Sequence, residues 1–200
     1  MNFFKKIFGS SNDASEEENT SEYYSPTTDP ELSPDEQFIF NFKKNGGKFL
    51  YCENLKEVSE QFENILAEND WFENHAICYE PRLFKLLNEN KIPFQNSTDA
   101  KFLLAACENL IAEEGSILFS SKQIKQHKPN ELPINIVIVG TTSQILHTKS
   151  DALSAIKRKY DKDIPTNITA MKYFEKAKEE DFTQYGSVAK NLYLLLLEDL

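Results

Sequence analysis

The alternation of polar and apolar residues changes period along this chain, and each change marks an element. Residues 9–32 are mostly serine, asparagine, glutamate, threonine and proline, with almost nothing to bury. Ordering such a segment costs entropy that no core offsets, so residues 1–32 are expected to form a flexible acidic leader with a short amphipathic start. Order is expected to begin at Ser33-Pro34-Asp35-Glu36: a serine cap, a proline at the first helical position and a glutamate three residues after the cap. Asn45-Gly46-Gly47 supplies the stop, because glycine takes the left-handed conformation that ends helices. Residues 48–52 then read as a short apolar strand, and 54–69 place Leu55, Val58, Phe62, Ile65 and Leu66 on one helical face.

Residues 75–79 return to strand, 81–90 to a helix with Leu83, Phe84, Leu86 and Leu87 inward, and 92–94 form a short apolar piece. Four later runs, 101–106, 116–120, 134–139 and 192–197, are apolar nearly throughout. Strands that lack polar alternation are covered on both faces, as the central strands of a parallel sheet are. Helices are expected over 148–160 and around 170–178. The alternation predicts a single α/β domain over residues 33–200, an open and mostly parallel sheet of six or seven strands with helices on both faces.

Charge narrows the partners. The net charge of −10 divides into about −5 before residue 35 and about −5 after it, and no basic stripe stands against it. Nucleic acid needs clustered lysine and arginine to neutralise phosphates, so a nucleic-acid role is not expected. Lys157-Arg158-Lys159 is the one dense basic run and reads as a solvated helix face. Cys52, Cys78 and Cys107 are isolated and embedded in apolar residues, and His75, His127 and His147 have no ligand spacing around them. No metal site is expected from them, and the residues specify no cofactor. No apolar run reaches the roughly 20 residues a membrane span needs, and the start lacks a secretory h-region, so a cytoplasmic location is expected.

Ligands in open α/β sheets bind beyond the carboxyl ends of strands, which directs attention to the turns. Asn96-Ser97-Thr98-Asp99 gathers hydroxyls and a carboxylate before a core strand, with Thr98 and Asp99 as candidate ligands, although an ordinary polar turn has the same composition. Ala112-Glu113-Glu114-Gly115-Ser116 places a carboxylate two residues before a glycine, whose missing side chain lets backbone amides approach a ligand. Gly140-Thr141-Thr142-Ser143 follows an apolar strand directly, and its hydroxyls and amides suit either a small anion or a helix cap. No P-loop, dinucleotide fingerprint or nucleophile elbow occurs.

Residues 102–146 resemble the LUD (lactate-utilisation) domain family, of the lactate utilisation protein B/C kind. That family carries an Ala-Glu-Thr-Gly-Thr segment leading into a strand, then a Leu-Pro before an apolar strand. Here Ala112-Glu113-Glu114-Gly115-Ser116 and Glu131-Leu132-Pro133 stand in those places. The resemblance implies the fold of the sugar-phosphate isomerase and CoA-transferase superfamily, a NagB/RpiA/CoA-transferase-like sheet. The chain departs from the family near its end. The Gly-Pro-Ser segment and Thr-Ala-Asp-Ile run are replaced by Ile168-Thr169-Ala170-Met171-Lys172, and a second glycine segment survives only as Tyr185-Gly186-Ser187. Lys172 is the residue there whose charge can substitute for lost backbone donors, though a solvated lysine reads the same way.

The resemblance implies an accessory subunit of a system that oxidises L-lactate to pyruvate, binding iron–sulfur oxidoreductase subunits and a small anion. Two alternatives stand beside it: a CoA- or acyl-transferase-like enzyme with Glu113 as the catalytic nucleophile, and a non-catalytic ligand-binding module. If chemistry occurs, Glu113, Gly115 and Ser116 are expected to share a cleft with Gly140, Thr141 and Thr142. Because the leader has charge without apolar anchors, deletion of residues 1–32 is expected to leave the thermal unfolding midpoint and its cooperativity unchanged.

Overall fold

The computed structural model describes residues 32–94, 99–174 and 190–199, within a compact unit, Ser33–Leu200. Helix α1 (Pro34–Lys44) starts as its sequence dictates, with the Glu36 N–H donating to Ser33 Oγ and the Ser33 N–H donating to the Glu36 carboxylate. Gly46, at φ 85°, ends the run in the left-handed region and feeds strand β1 (Lys48–Cys52). Asn54 caps helix α2 (Leu55–Asn69), its Oδ1 accepting the Glu57 N–H at 3.0 Å. Strand β2 (Ala76–Ile77), a 3-10 turn (Pro81–Leu83) and helix α3 (Phe84–Glu89) lead to β3 (Phe102–Ala106). No helix among the described residues is long and apolar enough to cross a membrane.

The fold is α/β, built on a five-stranded parallel sheet flanked by helices. Its order is β1-β9-β6-β3-β2, with β6 spanning Asn135–Thr141 and β9 spanning Asn191–Leu197. Side chains alternate between the faces. On one face Phe102, Leu104, Val137, Tyr193 and Leu195 join Val58, Phe62, Ile65 and Leu66 of α2 in one core. Trp71, just past α2, stacks on Phe102 with centroids 4.9 Å apart and meets Tyr193 edge-on at 6.4 Å. Burying such aromatic and aliphatic side chains contributes about 1.5–3 kcal/mol each.

Leu103, Ile136, Ile138, Leu192 and Leu194 point to the other face and are equally buried. A second sheet accounts for this, in the order β7-β4-β5-β8. Its strands are β4 (Asn109–Ile111), β5 (Ser116–Ser120), β7 (Ile145–Leu146) and β8 (Ile168–Met171). A methyl group placed on Gly140 of β6 would lie 3.5 Å from both Leu110 of β4 and Leu194 of β9. Helix α5 (Lys149–Tyr160) closes the outer side of this sheet, Ala152 and Ile156 packing with Ile111 and Leu118.

The strands thus divide between two sheets where the sequence pattern predicts one of six or seven. Residues 168–171 pair antiparallel with β5, Ser120 opposite Ile168 and Ile117 opposite Met171, so Ala170 and Met171, where the helix expected around 170–178 would begin, are strand instead. The β-branched pair Ile168-Thr169 suits the edge that β5 offers. The remainder of that predicted helix, together with the leader and Tyr185-Gly186-Ser187, lies outside the described residues.

Helix α1 docks on the β4–β5 turn through two asparagines. Asn41 Nδ2 donates to the Ala112 carbonyl at 2.9 Å, and Asn45 Nδ2 to the Glu114 carbonyl at 2.7 Å. The contact needs a glycine at 115. Its φ is +60°, and a Cβ there would lie 2.3 Å from the backbone C of Asn41 and N of Phe42. Gly115→Ala is therefore expected to lower stability by about 2 kcal/mol or more, read as a shifted urea midpoint at unchanged slope.

Candidate functional site

The carboxyl edge of the parallel sheet is where this architecture places ligands. At the end of β6 the chain turns through Thr142–Gln144, and this turn holds a carboxylate. The Thr142 hydroxyl donates to Asp199 Oδ1 at 2.9 Å, the Ser143 N–H to the same oxygen at 2.8 Å, and the Ser143 hydroxyl to Oδ2 at 2.6 Å. Asp199 lies just beyond β9, the strand beside β6, so neighbouring strand ends bring the partners together. Partial burial alone pushes the Asp199 carboxyl up, but donors from Ser143, Thr142 and Thr141 outweigh it and hold the group below its ordinary value.

At the end of β3 a second carboxylate is enclosed. Glu108 is 3% exposed. Its Oε1 accepts from Ser120 Oγ at 2.6 Å, Gln123 Nε2 at 2.8 Å and Tyr160 OH at 2.8 Å, while Oε2 accepts from Lys159 Nζ at 2.8 Å. Burial pushes this carboxyl up, yet the hydrogen bonds from Lys159, Ser120, Gln123 and Tyr160 keep it below its ordinary 4.5. The network joins the start of β4, helix α4 (Ser121–Ile124) and the end of α5. Three donors meet Oε1 and Lys159 meets Oε2, so Glu108 clamps these elements together.

A cavity of about 440 Å3 opens between the start of α2 and the Pro81–Glu89 segment, above β6. Val58, Leu83, Leu86 and Val139 give it apolar walls, and Arg82 and Lys85 a cationic rim. Arg82 pairs with Glu80 at 2.9 Å and Lys85 with Glu89 at 3.5 Å, both exposed pairs that a ligand can exchange at little cost.

The residues singled out from sequence fall into two separate neighbourhoods. Glu113, Gly115 and Ser116 sit on the turn that receives α1. The Lys149 N–H donates to Glu113 Oε1 at 3.3 Å, and the Ser116 hydroxyl to Glu114 Oε2 at 3.1 Å. Lys149 Nζ pairs with Glu114 at 2.9 Å, and Lys172, just past β8, adds positive charge toward the same carboxylate. Burial raises the Glu114 carboxyl, but Lys149 and Ser116 hold it below its ordinary value.

Gly140, Thr141 and Thr142 form the other group, with Gly140 buried inside β6 opposite Leu196 and Thr141 its last residue. β5 belongs to the second sheet and is not a neighbour of β6, so strand pairing does not bring the two groups together. Asp99 lies exposed in the turn before β3, and Thr98 lies outside the described residues. Burial pushes the thiols of Cys52 and Cys107 up to about 12 and that of Cys78 to about 11.

No family model matches the chain, and no curated protein matches it. Its fold is similar to that of a DUF162 family protein. The crystal structure of that protein, from Deinococcus radiodurans, agrees with a TM-score of 0.59 at 16% identity, over 84% of this chain and 99% of the other. At that identity the likeness shows the fold.

The sequence reading missed Glu108 and Asp199. Glu108 did carry a signal, as the only acid within the apolar stretch 102–112. Asp199 carried none, since its partners are 56 and 57 residues away. The Glu108 network predicts a defined acid response. A carboxyl that titrates below 4.5 when folded stabilises fully above that pH, and its contribution is lost as pH falls through the folded value. Glu108→Gln is expected to lower stability at pH 7 by about 2 kcal/mol and to flatten the fall below pH 4.5, measured by urea unfolding across pH.

Proposed function

We propose that this chain is a LUD-like domain that works as an accessory, small-anion-binding subunit of a cytoplasmic L-lactate utilisation system. The observation that carries this reading is the fold. It is similar to a DUF162 family protein over nearly the whole of that chain, DUF162 being a LUD-related domain, and the LUD-like segments between residues 102 and 146 lie within it. The turn at Thr142-Ser143, which accommodates a carboxylate at the sheet's carboxyl edge, supports a role in holding a small acid. The iron–sulfur oxidoreductase subunits are then partners that carry the electrons.

A transferase reading with Glu113 as nucleophile draws no support from its surroundings. Glu113 accepts a backbone N–H from Lys149 on a turn whose glycine is required for helix docking. Two measurements test the accessory-subunit reading. Deletion of the gene is expected to abolish or strongly slow growth on L-lactate as sole carbon source while leaving growth on pyruvate intact. Affinity purification of the full chain from its native cells is expected to bring down cysteine-rich, iron-containing subunits. Normal growth on L-lactate together with no iron-containing partner would overturn it.

A further inference from the structure

Central strands of a parallel sheet are covered on both faces, and β6 departs from this near its carboxyl end. Val137 is fully buried in the core with α2, but Val139, two residues on and on the same face, is only half-buried. The topology explains the gap. Strands β1 and β2 are opposite edges of the sheet, so the segments that follow them pack apart. Helix α2 lies on β1 and β9, and the Pro81–Leu83 turn that leads into α3 lies on β3. Between them β6 is left open, and the cavity of about 440 Å3 forms there. Leu55, 72% exposed at the start of α2, and the half-buried Leu86 of α3 face it with Val139. Apolar surface is thus left uncovered at the carboxyl edge, in a hollow of the size that takes a small molecule, roughly 300–1,000 Å3.

The rim supplies charge. Lys56, Arg82 and Lys85 line the cavity against a single acid, Glu89. Glu80 takes only the Nε edge of the Arg82 guanidinium, at 2.9 Å, and the two Nη groups make no hydrogen bond to the described residues. That edge is a planar fork, the shape that grips a carboxylate. Lys85 meets Glu89 at 3.5 Å and Ser59 Oγ donates to the same carboxylate at 3.4 Å, so Glu89 is engaged from two sides, while Lys56 pairs with Glu60 at 3.1 Å.

We propose that this cavity binds a carboxylate with an aliphatic body, the chain lying against Leu55, Leu86 and Val139 and the head on Arg82 and Lys85. The site is separate from the Thr142–Ser143 turn and does not depend on the lactate reading. L-lactate has too little apolar surface to fill such a hollow. An aliphatic chain gains affinity with each methylene it buries, by roughly threefold to fourfold, until the walls are covered.

The test titrates the full chain with sodium butyrate, hexanoate and octanoate at constant ionic strength, following the amide signals of Leu55, Ser59 and Leu86 by NMR. Acetate and L-lactate are the short controls, and hexan-1-ol is the control without a charge. Binding is expected to be saturable and to tighten by about threefold or more per methylene from butyrate to hexanoate. Val139→Phe, which fills the cavity, is expected to abolish it. Ser59→Phe fills the same space from the rim and replaces that variant if it does not fold. Arg82→Gln is expected to weaken octanoate about fivefold while leaving hexan-1-ol unchanged.

Affinity that does not grow with chain length, or binding undiminished in a folded cavity-filling variant, would overturn the proposal. Equal octanoate binding by Arg82→Gln and wild type would remove the carboxylate from it. Self-association of the unliganded chain that shifts the same amides on concentration would also overturn it, because the hollow would then belong to an interface between two copies.

Discussion

Strands β3, β6 and β9 are apolar on both faces, and a sheet built from them is stable only when both faces are covered. That constraint governs the rest of the chain. Helices α2 and α3 take one face, with Trp71 against Phe102. The segments leaving β3 and β6 must then serve the other face, and they do so by forming a second sheet, capped by α5. Glu108 stands where the chain passes from the first sheet into the second. A carboxylate buried at such a crossing is costly unless satisfied, and its four hydrogen bonds to three later segments turn that cost into a specific assembly.

The same geometry separates turns that build the fold from turns that face solvent at the ligand edge. The Glu113–Ser116 turn combines a glycine, a carboxylate and a hydroxyl, as a binding turn does. Here its carbonyls receive Asn41 and Asn45, and Gly115 gives room for the backbone of α1. Its charges are consumed locally by Lys149. The Thr142–Ser143 turn has a plainer composition but lies at the carboxyl ends of adjacent parallel strands. Location on the sheet, more than residue type, distinguishes the two.

Similarity of fold at 16% identity fits this account. Burial pattern and strand order can persist through many substitutions, because a core accepts apolar side chains of similar volume. A site has no such tolerance, so shared architecture carries little information about ligand chemistry.

Local rules determined the elements whose ends are written in neighbouring residues. The capping box at Ser33, the cap at Asn54 and the glycine stop at Gly46 were all legible, as were the apolar runs that became β1, β3, β5, β6 and β9. The α/β class followed from them. Which sheet each run would join was not legible, because β3 and β5 are both five residues long and buried throughout, and so look alike in sequence. Nor was the strand at 168–171, whose state is decided by the open edge of β5. The candidate site was half visible: Thr141 and Thr142 announce donors, while Asp199 is joined to them only when β6 and β9 pair. Caps and periodicity act over a few residues and survive in the sequence as pattern, whereas sheet membership and the partner of a hydroxyl depend on contacts between distant segments, which exist only once the core has closed around them.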